Sequence, residues 1–181
     1  TLSISNGKIY LQKQNLLSEK EAESFRLKYT SDEEVYVVDL SEVKGNLELT
    51  SQAIAVVGTR KATQEGQKIS HQFSRDLAEQ NIIIVSGLAL GIDQAAHKGA
   101  LEAKGKTIAV LANGLDITYP HQHENLANKI IEGGGAIVSE YAIGTPPLPH
   151  HFLERNRIIS GLSFGIIVIE APYGSGALCT A

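Results

Sequence analysis

Small and positively charged residues follow the short apolar runs of this sequence, at the points where strands would end. Four of these segments combine glycine with a hydroxyl or amide residue: Gly58-Thr59-Arg60-Lys61, Ser86-Gly87, Asn113-Gly114 and Gly174-Ser175-Gly176. Such loops leave backbone N–H groups free to bind an anion, helped by the positive end of a following helix. Arg60 and Lys61 add full positive charge. The pattern predicts a site for a phosphate-rich ligand.

A second basic element, Arg155-Asn156-Arg157, precedes the last apolar run. On a helix, Arg155 and Arg157 would lie on different faces. Two arginines that flank an amide in an acidic chain favour bidentate recognition of phosphate. The alternative is structural, with one arginine paired to Glu154 or Glu170 and the other in solvent.

Two aromatic residues, Phe152 and Tyr173, lie near these basic and glycine-rich segments. Aromatic faces beside arginine suit the stacking of unpaired bases. For each ring, a place in the hydrophobic core is the alternative.

The elements that must position these residues are short strands alternating with helices. The runs predicted as strands are apolar on both faces: Ala53–Val57, Ile82–Val85, Thr107–Leu111, Ala136–Ser139 and Gly165–Ile169. Such runs are typical of a parallel sheet that is covered on two sides. The segments predicted as helices are Gln64–Gln80, Gly91–Lys104 and Gln122–Glu132.

This alternation predicts a doubly wound α/β fold with a mostly parallel sheet. In the first helix, Ile69, Phe73 and Leu77 recur every four residues and predict its buried face. In such folds a ligand binds beyond the carboxyl ends of the strands, near the point where strand order reverses. The glycine-rich segments and Arg60 therefore fall where a ligand is expected.

Residues 1–50 differ in character and are interpreted as an N-terminal extension, with a predicted helix over Ser18–Tyr29. Ser18 and Glu21 fit a capping box at its start. Residues 51–181 are interpreted as the core, and we expect it to be cut short at its C-terminal end.

Composition excludes several classes of protein. Among 181 residues, 43% are hydrophobic and 20% are charged, and the net charge is −4. A confined anion site is therefore expected, without a wholly basic surface. The apolar runs are too short for a membrane span, no signal peptide is apparent, and Cys179 is the single cysteine. We expect a cytoplasmic protein with no membrane partner.

The sequence does not contain the familiar catalytic and cofactor-binding motifs. No dinucleotide-binding glycine pattern or nucleophile elbow is present, and Gly105-Lys106-Thr107 precedes a strand, unlike a P-loop. His121 and His123 lack further ligands in metal spacing, so no metal, cofactor or catalytic residue is expected. Asp93 and His97 share a helix face. They are interpreted as structural, with His97 available to pair with Asp93.

Six ordered blocks from about Asn46 onward resemble the DNA-processing protein A family, also called DprA or Smf. The matching blocks are Ile54–Arg60, Val85–His97, Thr107–Pro120, Ser139–Tyr141, Phe152–Leu162 and Glu170–Ala181. The resemblance implies a Rossmann-like core that binds single-stranded DNA. It implies as site residues Arg60, Ser86, Gly87, Arg155 and Asn156, to which we add the Gly174–Gly176 loop.

The resemblance further implies a role in natural transformation. Proteins of this family protect incoming DNA, help to load the RecA recombinase, act as homodimers and are not known as enzymes. Residues 1–45 do not clearly match the family's small helical domain, and the part that family members carry beyond the glycine-rich loop is absent here.

Two other functions remain open from the residues. One is an enzyme on a nucleotide-binding core, such as a nucleoside-monophosphate N-glycosidase of the lysine-decarboxylase-like group. In that group the catalytic glutamate follows the glycine-rich loop, whereas Glu170 precedes Gly174–Gly176 here. The other is a small-nucleotide sensor without catalysis.

Overall fold

The computed structural model describes residues 2–5, 8–11, 36–39, 42–45, 52–172, 175–178 and 180. Near the N-terminus, β1 (Leu2–Ser5), β2 (Lys8–Leu11) and β3 (Tyr36–Asp39) form an antiparallel sheet in the order β1-β2-β3. The helix predicted over Ser18–Tyr29 lies outside the described residues.

A six-stranded sheet forms the larger part of the described chain. Its strands are β4 (Glu42–Gly45), β5 (Ala53–Gly58), β6 (Ile83–Ser86), β7 (Thr107–Val110), β8 (Ala136–Ser139) and β9 (Gly165–Ile169). Their order is β4-β8-β7-β6-β5-β9, with β4 antiparallel to β8 and the others parallel. The prediction of a doubly wound, mostly parallel α/β fold is confirmed.

Helices cover both faces of this sheet. They are α1 (Gln64–Glu79), α2 (Ile92–Glu102), α3 (Glu124–Glu132) and α4 (Pro149–Gly161). On one face, Val57 and its neighbours pack against Ile158 and Ile159 of α4. On the other face, Val56 packs with Ile92 of α2 in a core that also includes residues of α1. Apolar residues on both faces of each strand therefore have helices to pack against, as a doubly wound fold requires.

The strand order reverses at β5. The chain runs outward from β5 through β6, β7 and β8, and then returns across α4 to place β9 on the other side of β5. The carboxyl ends of β5 and β9 therefore flank the switch point, where this class of fold binds its ligands.

The buried face of α1 differs from the prediction. Ile69 is 38% exposed and Phe73 52% exposed, whereas the buried residues one position along are small: Gly66, Ser70, Ser74 and Ala78. The reason is close packing of α1 on α2, because a Cβ on Gly99 would lie 2.1 Å from the carbonyl oxygen of His71. Only small side chains fit this contact, so the assignment of Ile69 and Phe73 to the core is wrong.

Element ends shift by one or two residues from the prediction. Strand β6 includes Ser86, and α2 begins at Ile92 after Gly91, whose φ is +79°. A 3₁₀ turn, His121–His123, precedes α3. Among the described helices, none has the length and apolar character needed to cross a membrane.

Candidate nucleic-acid interface

A cavity of about 460 Å³ lies at the switch point of the sheet. The end of β5, the first turns of α4 and residues after β9 all contribute to its walls. The predicted site residues that line it are Gly58, Thr59, Arg60, Phe152, Arg155, Asn156, Ser175 and Gly176. Three segments that are distant in sequence thus meet at one site.

A cation and an aromatic ring, Arg60 and Phe152, line the cavity, and a second ring packs against Phe152. The guanidinium carbon of Arg60 lies 4.6 Å from the ring centroid of Phe152. The Phe152 ring lies 5.6 Å from that of Tyr119, at an interplanar angle of 56°. Arg60 is exposed, and Tyr119 is 42% exposed. The arrangement offers a positive charge for phosphate beside aromatic surface for bases.

Tyr119 was not among the predicted site residues. It lies in the loop after β7, whereas Phe152 lies in α4, and no periodicity links two residues so far apart. The signal that could have found it was the position of Tyr119 within the Thr107–Pro120 block, because tyrosine is an aromatic residue that often lies at the surface. Tyr173, the other predicted aromatic residue, lies outside the described residues.

Arg155 places a second guanidinium in the cavity wall, where it is only 4% exposed. Its Nη1 donates to the carbonyl oxygen of Gly87 at 2.9 Å and to that of Val110. Its Nε has no hydrogen-bond partner among the described residues. Burial lowers the pKa of Arg155 to about 10, a shift that nearby Asp93 opposes and Arg60 reinforces. Arg155 therefore stays charged at neutral pH, and its Nε–H remains available to donate a hydrogen bond.

Asp93 faces the same wall and is 5% exposed. Its Oδ2 accepts hydrogen bonds from the backbone N–H of Gly87 at 3.1 Å and of Ala89 at 3.4 Å. Burial raises the pKa of Asp93, while Arg155 and these N–H groups act to lower it. A Cβ on Gly87 would lie 2.4 Å from Nη1 of Arg155, so any larger residue here would displace that buried guanidinium.

The expected pairing of Asp93 with His97 is not observed. His97 is fully buried, and its Nδ1 lies 2.7 Å from Thr107 Oγ1, which itself donates to the carbonyl oxygen of Ile84. Burial lowers the pKa of His97 to about 3, so the ring is neutral. The two side chains are both buried, but each has its own partners.

Four predicted residues are held by other parts of the fold and do not line the cavity. Ser86 is fully buried, and its hydroxyl donates to the carbonyl oxygen of Val56 at 2.6 Å. The N–H of Gly87 is taken by Asp93. Asn113 Nδ2 donates to the carbonyl oxygens of Gly114 at 2.9 Å and of Ile117 at 2.6 Å, closing the loop that contains both predicted residues.

Arg157 and Lys61, two further predicted residues, do not line the cavity. Arg157 is exposed and forms an ion pair with Glu140, which is neither of the two partners considered from sequence. Lys61 is exposed, and its backbone N–H donates to Thr59 Oγ1 at 3.2 Å. Gly174 lies outside the described residues. As the helical spacing predicts, Arg155 is buried while Arg157 faces solvent.

Asn156 and Glu170 form hydrogen bonds that connect the site to neighbouring elements of the fold. Asn156 Nδ2 donates to the carbonyl oxygen of Gly176 at 3.0 Å, which joins α4 to the segment after β9. The carboxylate of Glu170 accepts from the backbone N–H of Thr63 at 2.8 Å and from its hydroxyl, at the start of α1. A carboxylate there is favoured by the helix dipole. Among the described residues, Asp93 is the one acidic side chain that lines the cavity.

Comparisons with known proteins agree with this geometry. A family model described as "DNA recombination-mediator protein A" matches residues 39–181. The chain is 49% identical over 140 residues to Protein Smf of Escherichia coli, covering 77% of this chain and 37% of that protein. The chain thus spans about a third to a half of the length of relatives that it matches.

Two solved structures share the fold closely. DNA processing protein A from Streptococcus pneumoniae has a TM-score of 0.70 at 46% identity, covering 76% of this chain and 48% of that one. DNA processing protein A from Helicobacter pylori has a TM-score of 0.70 at 33% identity, covering 76% of this chain and 63% of that one. The latter structure is described as giving insight into that protein's single-stranded DNA binding mode.

Proposed function

The chain belongs to the DNA recombination-mediator protein A family, and we propose that it binds single-stranded DNA at the cavity beside Arg60. One observation carries the proposal: Arg60 and Phe152 line a cavity whose wall holds Arg155, and the tilted ring of Tyr119 packs against Phe152. The structure of the Helicobacter pylori relative is described as giving insight into how that protein binds single-stranded DNA, and this supports the same class of ligand.

The arginine and aromatic side chains contact different parts of the DNA. Arg60 contacts a backbone phosphate, since its guanidinium is exposed and has no ion-pair partner among the described residues. Arg155 supplies a fixed positive charge behind it. The exposed ring of Tyr119 and the edge of Phe152 contact bases. Because base faces are accessible only in unpaired strands, this division favours single-stranded over duplex DNA.

Binding is independent of sequence in this proposal. Phosphates and base faces are common to all nucleotides, and stacking carries little sequence information. Of the predicted residues, the proposal centres on Gly58, Thr59, Arg60, Phe152, Arg155, Asn156, Ser175 and Gly176. Ser86, Gly87 and Asn113 support the surrounding loops through their hydrogen bonds.

The wider role is inferred from the family. It comprises DNA processing during natural transformation, a RecA-type recombinase partner, a homodimer and a cytoplasmic location. No catalytic activity is proposed, since Asp93 is committed to two backbone N–H groups and faces Arg155. Glu170, the residue weighed for the N-glycosidase alternative, holds the start of α1.

Fluorescence anisotropy with labelled oligonucleotides tests the proposal. A single-stranded oligonucleotide and its duplex are titrated at two salt concentrations, with a second base composition as a comparison. We expect tighter binding of the single strand, little effect of composition, and weaker binding at higher salt. Equal affinity for duplex and single strand would refute the assignment.

A further inference from the structure

The first two turns of α4, next to Tyr141, bring together a group of metal-ligand side chains. His150, His151 and Glu154 each offer one ligand atom, and these atoms all lie within 4.8 Å of one another. His150 and Glu154 are exposed, whereas His151 is 8% exposed. The expectation of no metal site rests on His121 and His123, which are a different pair. His123 is buried with its Nδ1 on the carbonyl oxygen of Leu88.

His151 has a buried ring nitrogen that needs a partner. Its Nδ1 is inaccessible to solvent and has no hydrogen bond among the described residues. Buried polar atoms are nearly always satisfied, so an unsatisfied one in a cluster of ligand groups points to a missing ligand. The ring is also held in place, because it stacks on Tyr141 with centroids 4.2 Å apart and planes 27° apart.

Tyr141 also orients a second member of the group. Its hydroxyl donates to Oε2 of Glu154 at 2.9 Å. A donor that fixes a ligating carboxylate while its ring fixes a ligating histidine is the kind of support that metal ligands require.

We propose that His150, His151 and Glu154 bind a divalent transition-metal ion of the zinc class. Two imidazoles and one carboxylate are a ligand set that suits Zn²⁺, and three protein ligands leave a further position for water. The positive end of α4 opposes a cation, which should weaken binding by roughly two- to fivefold. The ion would lie on α4, whose residues Pro149 and Phe152 line the cavity.

Metal titration of the protein tests this inference. Zn²⁺ binding is measured by isothermal titration calorimetry, and Co²⁺ binding by its visible ligand-field absorption. The variants His150→Gln and Glu154→Gln alter exposed side chains, so the fold should persist, as circular dichroism would verify. Tyr141→Phe keeps the ring on His151 but removes the hydroxyl. His121→Gln changes an exposed histidine outside the cluster and is the matched control.

We expect one ion per chain, binding at least tenfold weaker in His150→Gln and Glu154→Gln, and unchanged affinity in His121→Gln. Tyr141→Phe should lower affinity by about tenfold, the effect typical of a residue that orients a ligand. Absence of binding at millimolar Zn²⁺ would overturn the proposal. So would binding that is insensitive to both His150→Gln and Glu154→Gln, because the ion would then lie elsewhere.

Discussion

Replacing Arg60 with alanine is the most direct test of how the site engages DNA. Each phosphate contact on a single strand contributes about 0.7 to the slope of log affinity against log salt concentration. If Arg60 contacts one phosphate, Arg60→Ala should lower the magnitude of that slope by about 0.7. The loss should be alike for all oligonucleotide sequences, because phosphate carries no sequence information.

The slope change predicts how the affinity deficit depends on salt. Over a fourfold rise in salt, from about 50 to 200 mM, a difference of 0.7 in slope corresponds to a factor of roughly 2.6. The deficit of Arg60→Ala relative to wild type should therefore shrink by that factor across the range. Anisotropy titrations at four or five salt concentrations resolve such a change.

Folding stability should change little in Arg60→Ala. The side chain is exposed, and its described contact is the Phe152 ring at 4.6 Å. An exposed contact of this kind contributes about 0.5–1 kcal/mol. The matched control is Arg75→Ala, which removes an exposed arginine from α1, where it pairs with Glu79. If Arg60→Ala keeps the wild-type slope, or if Arg75→Ala changes it equally, Arg60 is not a phosphate contact.

Three further changes probe the rings, the wall and a buried histidine. Phe152→Leu should weaken single-strand binding by about 1 kcal/mol or more in anisotropy titrations, because a base loses its aromatic surface. Gly87→Ala should destabilise the fold by about 1–3 kcal/mol in urea unfolding, since its Cβ would lie 2.4 Å from the Arg155 guanidinium. His97→Gln should reduce the pH dependence of stability. Unfolded His97 binds a proton near pH 6.5 but the folded residue only near pH 3, so stability falls as pH drops from about 6.5 towards 3. The slope attributable to this residue is about 1.4 kcal/mol per pH unit.

Matched variants separate these effects from nonspecific ones. Phe73→Leu alters an exposed ring on α1 and should leave DNA binding unchanged. Gly165→Ala adds a Cβ that meets only Ile54 at 3.6 Å and should cost less than Gly87→Ala. His121→Gln should keep the wild-type pH slope. Equal effects in any variant and its control would contradict the reasoning for that residue.

The fold could be predicted because its signal is local. Each strand needs apolar side chains on both faces, and this requirement is visible within five residues, as in Ala53–Val57. The buried face of α1 could not be predicted in the same way. Its contact with α2 selects small residues, and hydrophobic periodicity marks large ones such as Ile69.

The site was partly predictable because the switch-point rule depends on topology alone. It places Arg60 at the end of β5 without any knowledge of side-chain contacts. The rule fails for Ser86, because the strand extends one residue further than expected and turns the hydroxyl towards Val56. Every residue of β6 is buried, so a strand that includes Ser86 buries its hydroxyl as well. The meeting of Tyr119 with Phe152 depends on tertiary packing, which no local pattern encodes.

The two arginines of the cavity differ in what they can contribute to DNA binding. Arg155 is fixed by two carbonyl oxygens and faces the buried carboxyl group of Asp93, whose pKa it acts to lower. The Arg155 guanidinium is only 4% exposed, so it is not free to extend to a phosphate in solvent. Arg60 has no such partner among the described residues and lies in solvent. The salt dependence of binding should therefore reside mainly in Arg60, while Arg155 shapes the wall against which the phosphate is held.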